Sequence, residues 1–150
     1  MIERTPVFGE RIPGATYTPR PSAYALIRDQ QSRVAIVDAP DGVYLPGGGI
    51  DPGETAEAAV LREALEECGF EVEIVSQIAR AVQLVTRKNG TRVEKTSTFF
   101  TAIIVRHQPH AQEPGHEVLW LTVAEATSRL THESHSWAIG VTESVKYPLL

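Results

Sequence analysis

Residues 47–70 read GGGIDPGETAEAAVLREALEECGF: three successive glycines, a short polar turn, then a segment that carries Glu57, Glu63, Glu66 and Glu67. Thr55 offers a side-chain oxygen to cap the first free amides of a helix. Glu57 suits the positive end of the helix dipole, and Gly69 is a natural left-handed stop. The spacing therefore predicts a helix over residues 56–68. At about 100° per residue, Ala58, Leu61, Ala64, Leu65 and Cys68 fall in one arc, the expected buried face. Glu63, Glu66 and Glu67 fall together on the opposite side, with Ala56 and Ala59 beside them leaving room.

Three carboxylates in one patch repel each other. Like charges three or four residues apart cost about 0.2 to 0.5 kcal/mol per pair, and Glu66 and Glu67 also meet the negative end of the dipole. Either water and Arg62 screen a solvated Glu-rich face, or the patch holds a divalent cation through the oxygen ligands that hard ions such as Mg2+ or Mn2+ prefer. Pro46-Gly47-Gly48-Gly49 bears on that choice. Backbone free of side chains between a strand and a helix lets amides approach a ligand closely, although it also serves as a plain flexible turn.

Outward from this stretch the chain alternates strand and helix signals. Residues 22–28 (SAYALIR) and 33–38 (RVAIVD) are apolar runs separated by DQQS, predicting an antiparallel pair, and VYLP is a third short strand leading into the glycines. After the helix come two long strand-like runs, residues 71–87 and 91–105, joined through Lys88, Asn89, Gly90 and Thr91. Asn-Gly predicts a two-residue turn, which would set Thr86 opposite Val93 and Val85 opposite Glu94. A loop, HQPHAQEPGH, precedes a last strand, EVLWL. Thr122 and Glu125 have capping-box spacing for a helix to about Leu130, and Trp137, Ala138, Val141 and Val145 predict another from near Ser134. The expected fold is of the α/β class: an α/β/α sandwich with a mixed central sheet, one domain over residues 1–150. Residues 1–16 form an extended N-terminal arm in which Ile2, Val7, Phe8 and Ile12 pack on the body.

Composition narrows the function. At 150 residues the chain can bury a core sufficient for one domain, and its 42% hydrophobic and 22% charged residues are those of a folded protein. A net charge of −5 without a basic stripe or tail argues against membrane binding and against strong nucleic-acid binding, so phosphate-bearing partners would need a metal ion. The single cysteine, Cys68, and a start without an apolar leader core make the cytoplasm the expected location. Cys68 reads as a buried structural thiol. The histidines His107, His110, His116, His132 and His135 do not form a zinc ligand set, and His132 and His135 are expected at the surface or as caps. Tyr24, Phe99, Phe100 and Trp137 read as core. Gln83, Arg87, Arg92 and Lys95 read as exposed strand residues within reach of a phosphate or base.

Gly48 to Phe70 resembles the Nudix box, G-x5-E-x7-R-E-U-x-E-E-x-G-U with U a bulky apolar residue. It matches at Gly48, Glu54, Arg62, Glu63, Glu66, Glu67, Gly69 and Phe70, and departs at Ala64, where a larger aliphatic residue is usual. The flanking strands and the VAEA helix also resemble the Nudix fold, while the first twenty residues and LTHESHSWAI resemble a MutT-like bacterial subgroup. The resemblance implies a hydrolase that splits a nucleoside diphosphate linked to some group X, using Mg2+ or Mn2+. Glu63 and Glu67 would be the principal metal ligands, with Glu66 a direct or water-mediated third. Glu54 and Arg62 would support the helix, and Gly48 and Gly49 would let the loop fold over metal and substrate. One of the box carboxylates, or an outside glutamate for which Glu117 and Glu113 are candidates, would take the proton of the attacking water. The implied partner is a small nucleotide-type molecule, and a homodimer is compatible with it. Two other readings share the cleft: a non-catalytic Nudix-like sensor of a nucleotide metabolite, which would not need the full carboxylate set, and an RNA 5′-end pyrophosphohydrolase, for which a basic groove is missing.

Overall fold

A computed structural model describes residues 5–144, so the expectations for Ile2 and Val145 lie outside the described residues. In chain order the elements are β1 (Val7–Phe8), β2 (Thr18–Ile27), β3 (Val34–Ala39), β4 (Gly42–Tyr44), β5 (Gly47–Gly49), α1 (Ala56–Cys68) and β6 (Phe70–Thr86). Then follow β7 (Arg92–His107), a 3₁₀ turn (Pro109–Ala111), β8 (Glu117–Leu121), α2 (Val123–Arg129) and α3 (Glu133–Ser144).

Strands buried on both faces lose the polar/apolar alternation of a half-exposed strand, and β2 and β3 show this. Ala23, Ala25 and Ile27 of β2 with Ala35 and Val37 of β3 pack with Ala59, Val60, Ala64 and Cys68 of α1. The alternate residues, Tyr24, Leu26, Val34 and Ile36, pack with Ala126 of α2 and Ala138 and Ile139 of α3. Helices thus cover both faces of a mixed sheet, as in the expected sandwich.

The sheet itself is divided. Five strands run in the order β1-β6-β7-β2-β5 and three in the order β4-β3-β8. The expected antiparallel pairing of residues 22–28 with 33–38 is therefore corrected. The two runs separate into different sheets and share only the bridge between Arg28 and Val34. β2 instead pairs parallel with β7 over its whole length, and DQQS forms a local turn in which the Asp29 carboxylate accepts from the amides of Gln31 and Arg33.

The long hairpin also departs by one residue from expectation: Thr86 faces Arg92 and Val85 faces Val93. The loop is three residues long. Gly90 N–H donates to the Arg87 carbonyl and Arg87 N–H to the Thr91 carbonyl, and within the loop Gly90 alone has positive φ, at 87°. This is a type I turn followed by a left-handed glycine, with Asn89 Oδ1 accepting from the amide and hydroxyl of Thr91 instead of entering the left-handed region. Gly90→Ala is expected to lower stability by about 1 kcal/mol, since open space surrounds the position and only the backbone conformation opposes a Cβ. Gly90→Asn should cost less, and thermal unfolding of the two variants checks the order.

Candidate active site

α1 forms as the sequence predicts: Thr55 Oγ1 accepts from the Ala58 amide, and Gly69 closes the helix at φ 70°. Its orientation differs. The buried residues are Ala59, Val60, Ala64 and Cys68, whereas Ala58 and Leu61 are exposed. The helix is turned so that Glu63 and Glu67, one turn apart, border the buried stripe at side-chain exposures of 18% and 12%, with Glu66 at 36%. The expectation that the three carboxylates lie opposite the core is corrected. Val60 displaces Leu61 from the interior because β5 and its glycines leave space for the carboxylates on that side.

That space follows from missing side chains. A Cβ on Gly48 would lie 2.9 Å from Glu63 Oε1, and one on Gly47 would lie 2.2 Å from the Ala23 carbonyl oxygen. Gly47 N–H donates to Glu67 Oε1 at 2.8 Å.

Arg62 organises the rest. Its Nε and Nη2 donate to the two oxygens of Glu54 at 2.8 and 2.9 Å, a bidentate pair, and Nη2 also reaches the Gly49 carbonyl at 3.1 Å. Nη1 donates to Glu63 at 3.0 Å and to Glu66 at 3.3 Å. The guanidinium and the Asp51 amide hold the Glu54 carboxyl down at about 2. Burial, more than its contact with Arg62 offsets, raises Glu63. Glu67 is pushed up to about 8, chiefly by burial against the opposing hydrogen bond from Gly47, with Glu63 and Glu66 adding repulsion.

The loop before β8 docks on the C-terminal end of α1, where carbonyls lack helical partners. Glu113 N–H donates to the Glu66 carbonyl, Gln112 Nε2 to that of Glu67, and Gln108 N–H to that of Gly69. This brings His116 Nε2 to 3.9 Å from Glu67 Oε2, leaving its Nδ1 buried without a partner. No spacing in the sequence announces His116, which lies far from α1 along the chain. Glu113 and Glu117 are exposed. Glu117 lies on the rim of a cavity of about 490 Å³ lined by Cys68, Phe70, Trp120 and His116, not among the box carboxylates. Cys68 is 1% exposed and burial pushes its thiol up, which keeps it protonated.

His132 and His135, expected at the surface or as caps, are buried, at 6% and 0% exposure, and His132 immediately precedes α3. His135, Ala138, Ile139 and Thr142 form the buried stripe of α3, a helical spacing legible in the sequence when counted from His135. Burial brings His132 down to about 4 and His135 well below its ordinary range, and His135 Nδ1 accepts from the Leu45 amide. Gln83, expected to be exposed, is also buried, its Oε1 accepting from the Ser134 amide.

Glu63, Glu66 and Glu67 supply oxygen donors, with the His116 imidazole at the edge of the cluster, and Glu67 is a buried carboxylate that Arg62 does not reach. Both features fit a hard divalent cation. With Arg62 spread over its partners, no three His, Cys, Asp or Glu side chains among the described residues converge on one point. Glu63 and Glu66 would have to turn from Arg62 to join Glu67 on an ion.

The NUDIX domain family matches residues 18–141. Over 58 residues the chain is 36% identical to a Bacillus subtilis (strain 168) protein named provisionally as an 8-oxo-dGTP diphosphatase, covering 37% of this chain and 39% of that one. Over 67 residues it is 40% identical to an RNA pyrophosphohydrolase of Novosphingobium aromaticivorans, covering 41% and 42%. The chain thus spans about two fifths of the length of these curated relatives. A NUDIX hydrolase from Nitrosomonas europaea shares the fold with a TM-score of 0.68 at 22% identity, over 88% of this chain and 94% of that one. Among the described residues no helix is long and apolar enough to cross a membrane.

Glu67 gives the site a pH signature. Its folded value lies above the ordinary 4.5, so its favourable contribution is complete below 4.5 and is lost as the pH rises through about 8. The stability of Glu67→Gln relative to wild type, both metal-free, is therefore expected to grow from pH 4.5 to 8, at no more than about 1.4 kcal/mol per pH unit. Taking the difference removes the opposing titration of His132 and His135. Parallel melting curves across this range would show that Glu67 is not buried as described.

Proposed function

Because the chain belongs to the NUDIX family, we propose that it is a metal-dependent hydrolase that cleaves the diphosphate linkage of a nucleoside diphosphate joined to a group X. The observation that carries this reading is the placement of Glu67. It is a buried carboxylate held by the Gly47 amide, one helical turn from Glu63, and outside the reach of Arg62. Isolated buried charge is costly, and a bound cation is the partner that offsets it. The names of the two curated relatives support the same bond type.

Glu63 and Glu67 would be the principal ligands of Mg2+ or Mn2+, with Glu66 third. When bound, such an ion neutralises phosphate charge and lowers the pKa of water. The chain's own residues do the rest. Arg62, fixed by Glu54 and by the Gly49 carbonyl, sets the helix against the glycine strand and orients Glu63 and Glu66. Gly48 and Gly49 leave backbone bare where the diphosphate would approach. A glutamate of the box, or Glu113 from the docked loop or Glu117 at the start of β8, takes the proton of the attacking water. The water oxygen bonds to phosphorus in line as the bridging P–O bond breaks, and the leaving phosphate departs with the electron pair.

Hydrolysis of at least one member of a panel of nucleoside triphosphates, oxidised dGTP, dinucleoside polyphosphates, ADP-ribose, nucleotide sugars and 5′-triphosphorylated RNA is expected with Mg2+ or Mn2+, and none in excess EDTA. Binding without turnover anywhere in the panel would favour the sensor. Glu67→Gln should lower turnover by at least about 10², the scale of one lost electrostatic contact to a transition state, while remaining folded. Glu57→Gln, which alters only the first-turn charge, should stay within about twofold. Steady-state kinetics with phosphate detection, alongside melting curves, checks both.

A further inference from the structure

On the face of the larger sheet turned away from α1, the register sets Arg20 of β2 directly beside Lys95 of β7, with Gln83 of β6 on the other side. Like charges side by side across strands are destabilising, and this row is worse than a pair. Burial first, and then the charges of Arg20 and Arg87, lower the pKa of Lys95. None of the three cations forms an ion pair among the described residues; Asp41 is the carboxylate that faces Lys95 and His132, and it bonds neither.

Lys95 is nevertheless held in place. Its Nζ lies 3.2 Å from Nε2 of His132 and 5.8 Å from the centre of the Tyr44 ring. A neutral imidazole and a ring face can fix an ammonium group without cancelling its charge. Tyr44 packs on His132, and His132 on His135, which is locked to the Leu45 amide. The row also borders the candidate active site: the Arg20 guanidinium stands where a Cβ on Gly49 would come within 3.1 Å of it, and the Gly49 carbonyl is bound by Arg62. β5 therefore separates a carboxylate cluster from a cation row.

We propose that Arg20 and Lys95 form a phosphate-tail site, which favours nucleotides bearing a triphosphate or longer chain. This rests on the diphosphate-cleaving reading above. The argument is one of charge. The scissile diphosphate would be matched by an ion at the carboxylates, so the unpaired Arg20 and Lys95 across β5 are left to attract further negative charge. A nucleoside diphosphate joined to a neutral sugar would leave them facing uncharged groups; the terminal phosphates of a longer chain supply the anion. Gln83, fixed by the Ser134 amide, offers its amide N–H groups along the same row.

The test uses inorganic tripolyphosphate in metal-free buffer at fixed ionic strength, with titration calorimetry on the whole chain, and Lys95→Met and Arg20→Gln as variants. Wild type is expected to bind and each variant to bind at least about tenfold more weakly, the loss of one charge-assisted contact. The melting temperature of the unliganded variants should be unchanged or raised, because like-charge repulsion is relieved; a purely structural Lys95 would lower it. Should Lys95→Met fail to fold, Arg20→Gln, at an exposed position, decides the matter. In kinetics with Mg2+, Lys95→Met should raise KM for a nucleoside triphosphate about tenfold or more. Absence of tripolyphosphate binding by wild type, or variants that bind as wild type does, overturns the proposal. Binding that behaves as expected in a chain that hydrolyses nothing keeps the anion site and overturns the hydrolase reading instead.

Discussion

The guanidinium of Arg62 is the interaction on which the site depends. It is shared by Glu54, Glu63, Glu66 and the Gly49 carbonyl, with Asp51 at 3.4 Å. Glu54 belongs to the loop and Glu63 and Glu66 to the helix, so one planar donor fork ties the glycine strand to α1. The fork geometry matters: Glu54 takes two parallel N–H groups, which fixes the plane of the guanidinium and so the direction in which Nη1 points. Glu67 is left out of this network, bonded only to backbone. A cluster of three acids thus contains two that are compensated and one that is not.

What allows so much charge near the interior is the bare backbone of β5. Gly47 pairs with Tyr24 and Gly49 with Ser22, and their missing side chains let the edge strand lie against β2 while Glu63 closes on Gly48. β2 in turn is fixed on both faces, by α1 through Ala23 and Ala25 and by the α2/α3 side through Tyr24 and Leu26. Rigid support of this kind holds a reactive constellation to the tolerance that chemistry needs. The glycines answer a steric requirement first, and flexibility has little to do with their role.

Much of this was legible in the sequence where the signal is local. The caps of α1 at Thr55 and Gly69, the capping box of α2 and the family motif depend on residues a few positions apart, and each appears where expected. The errors are of another kind. The buried face of α1 was misplaced because a helical wheel ranks Leu61 above Ala59, whereas packing against β2 favours small residues and admits glutamates beside glycines. The pairing of the second and third strands was misplaced because two adjacent apolar runs cannot reveal that each is buried on both faces. In the hairpin, Asn89 prefers to bond Thr91 and leaves positive φ to Gly90 alone, which adds one residue to the loop. His116 is brought to Glu67 by docking of a loop, which no pattern encodes. Lys95 was legible as a strand residue within reach of a phosphate, but nothing in the sequence joined Arg20 to it; only the parallel register of β2 with β7 sets them side by side.

The net charge of −5 gives the wrong first impression of how the chain meets an anion. Charges are screened over about 8 Å at physiological ionic strength, so an approaching phosphate chain responds to the nearest few groups and not to the total. Near β5 those groups are of opposite sign on its two sides: carboxylates toward α1 and the row of Arg20 and Lys95 toward Tyr44. A phosphate chain alone is attracted to one side and repelled by the other. Only a ligand that arrives with, or finds, a cation at the carboxylates can span the strand, and the repulsion at Glu67 that makes the empty side unfavourable is what such a cation relieves. The two clusters are thus complementary parts of one charge pattern, and under the proposed function a metal-bound phosphate chain would compensate both.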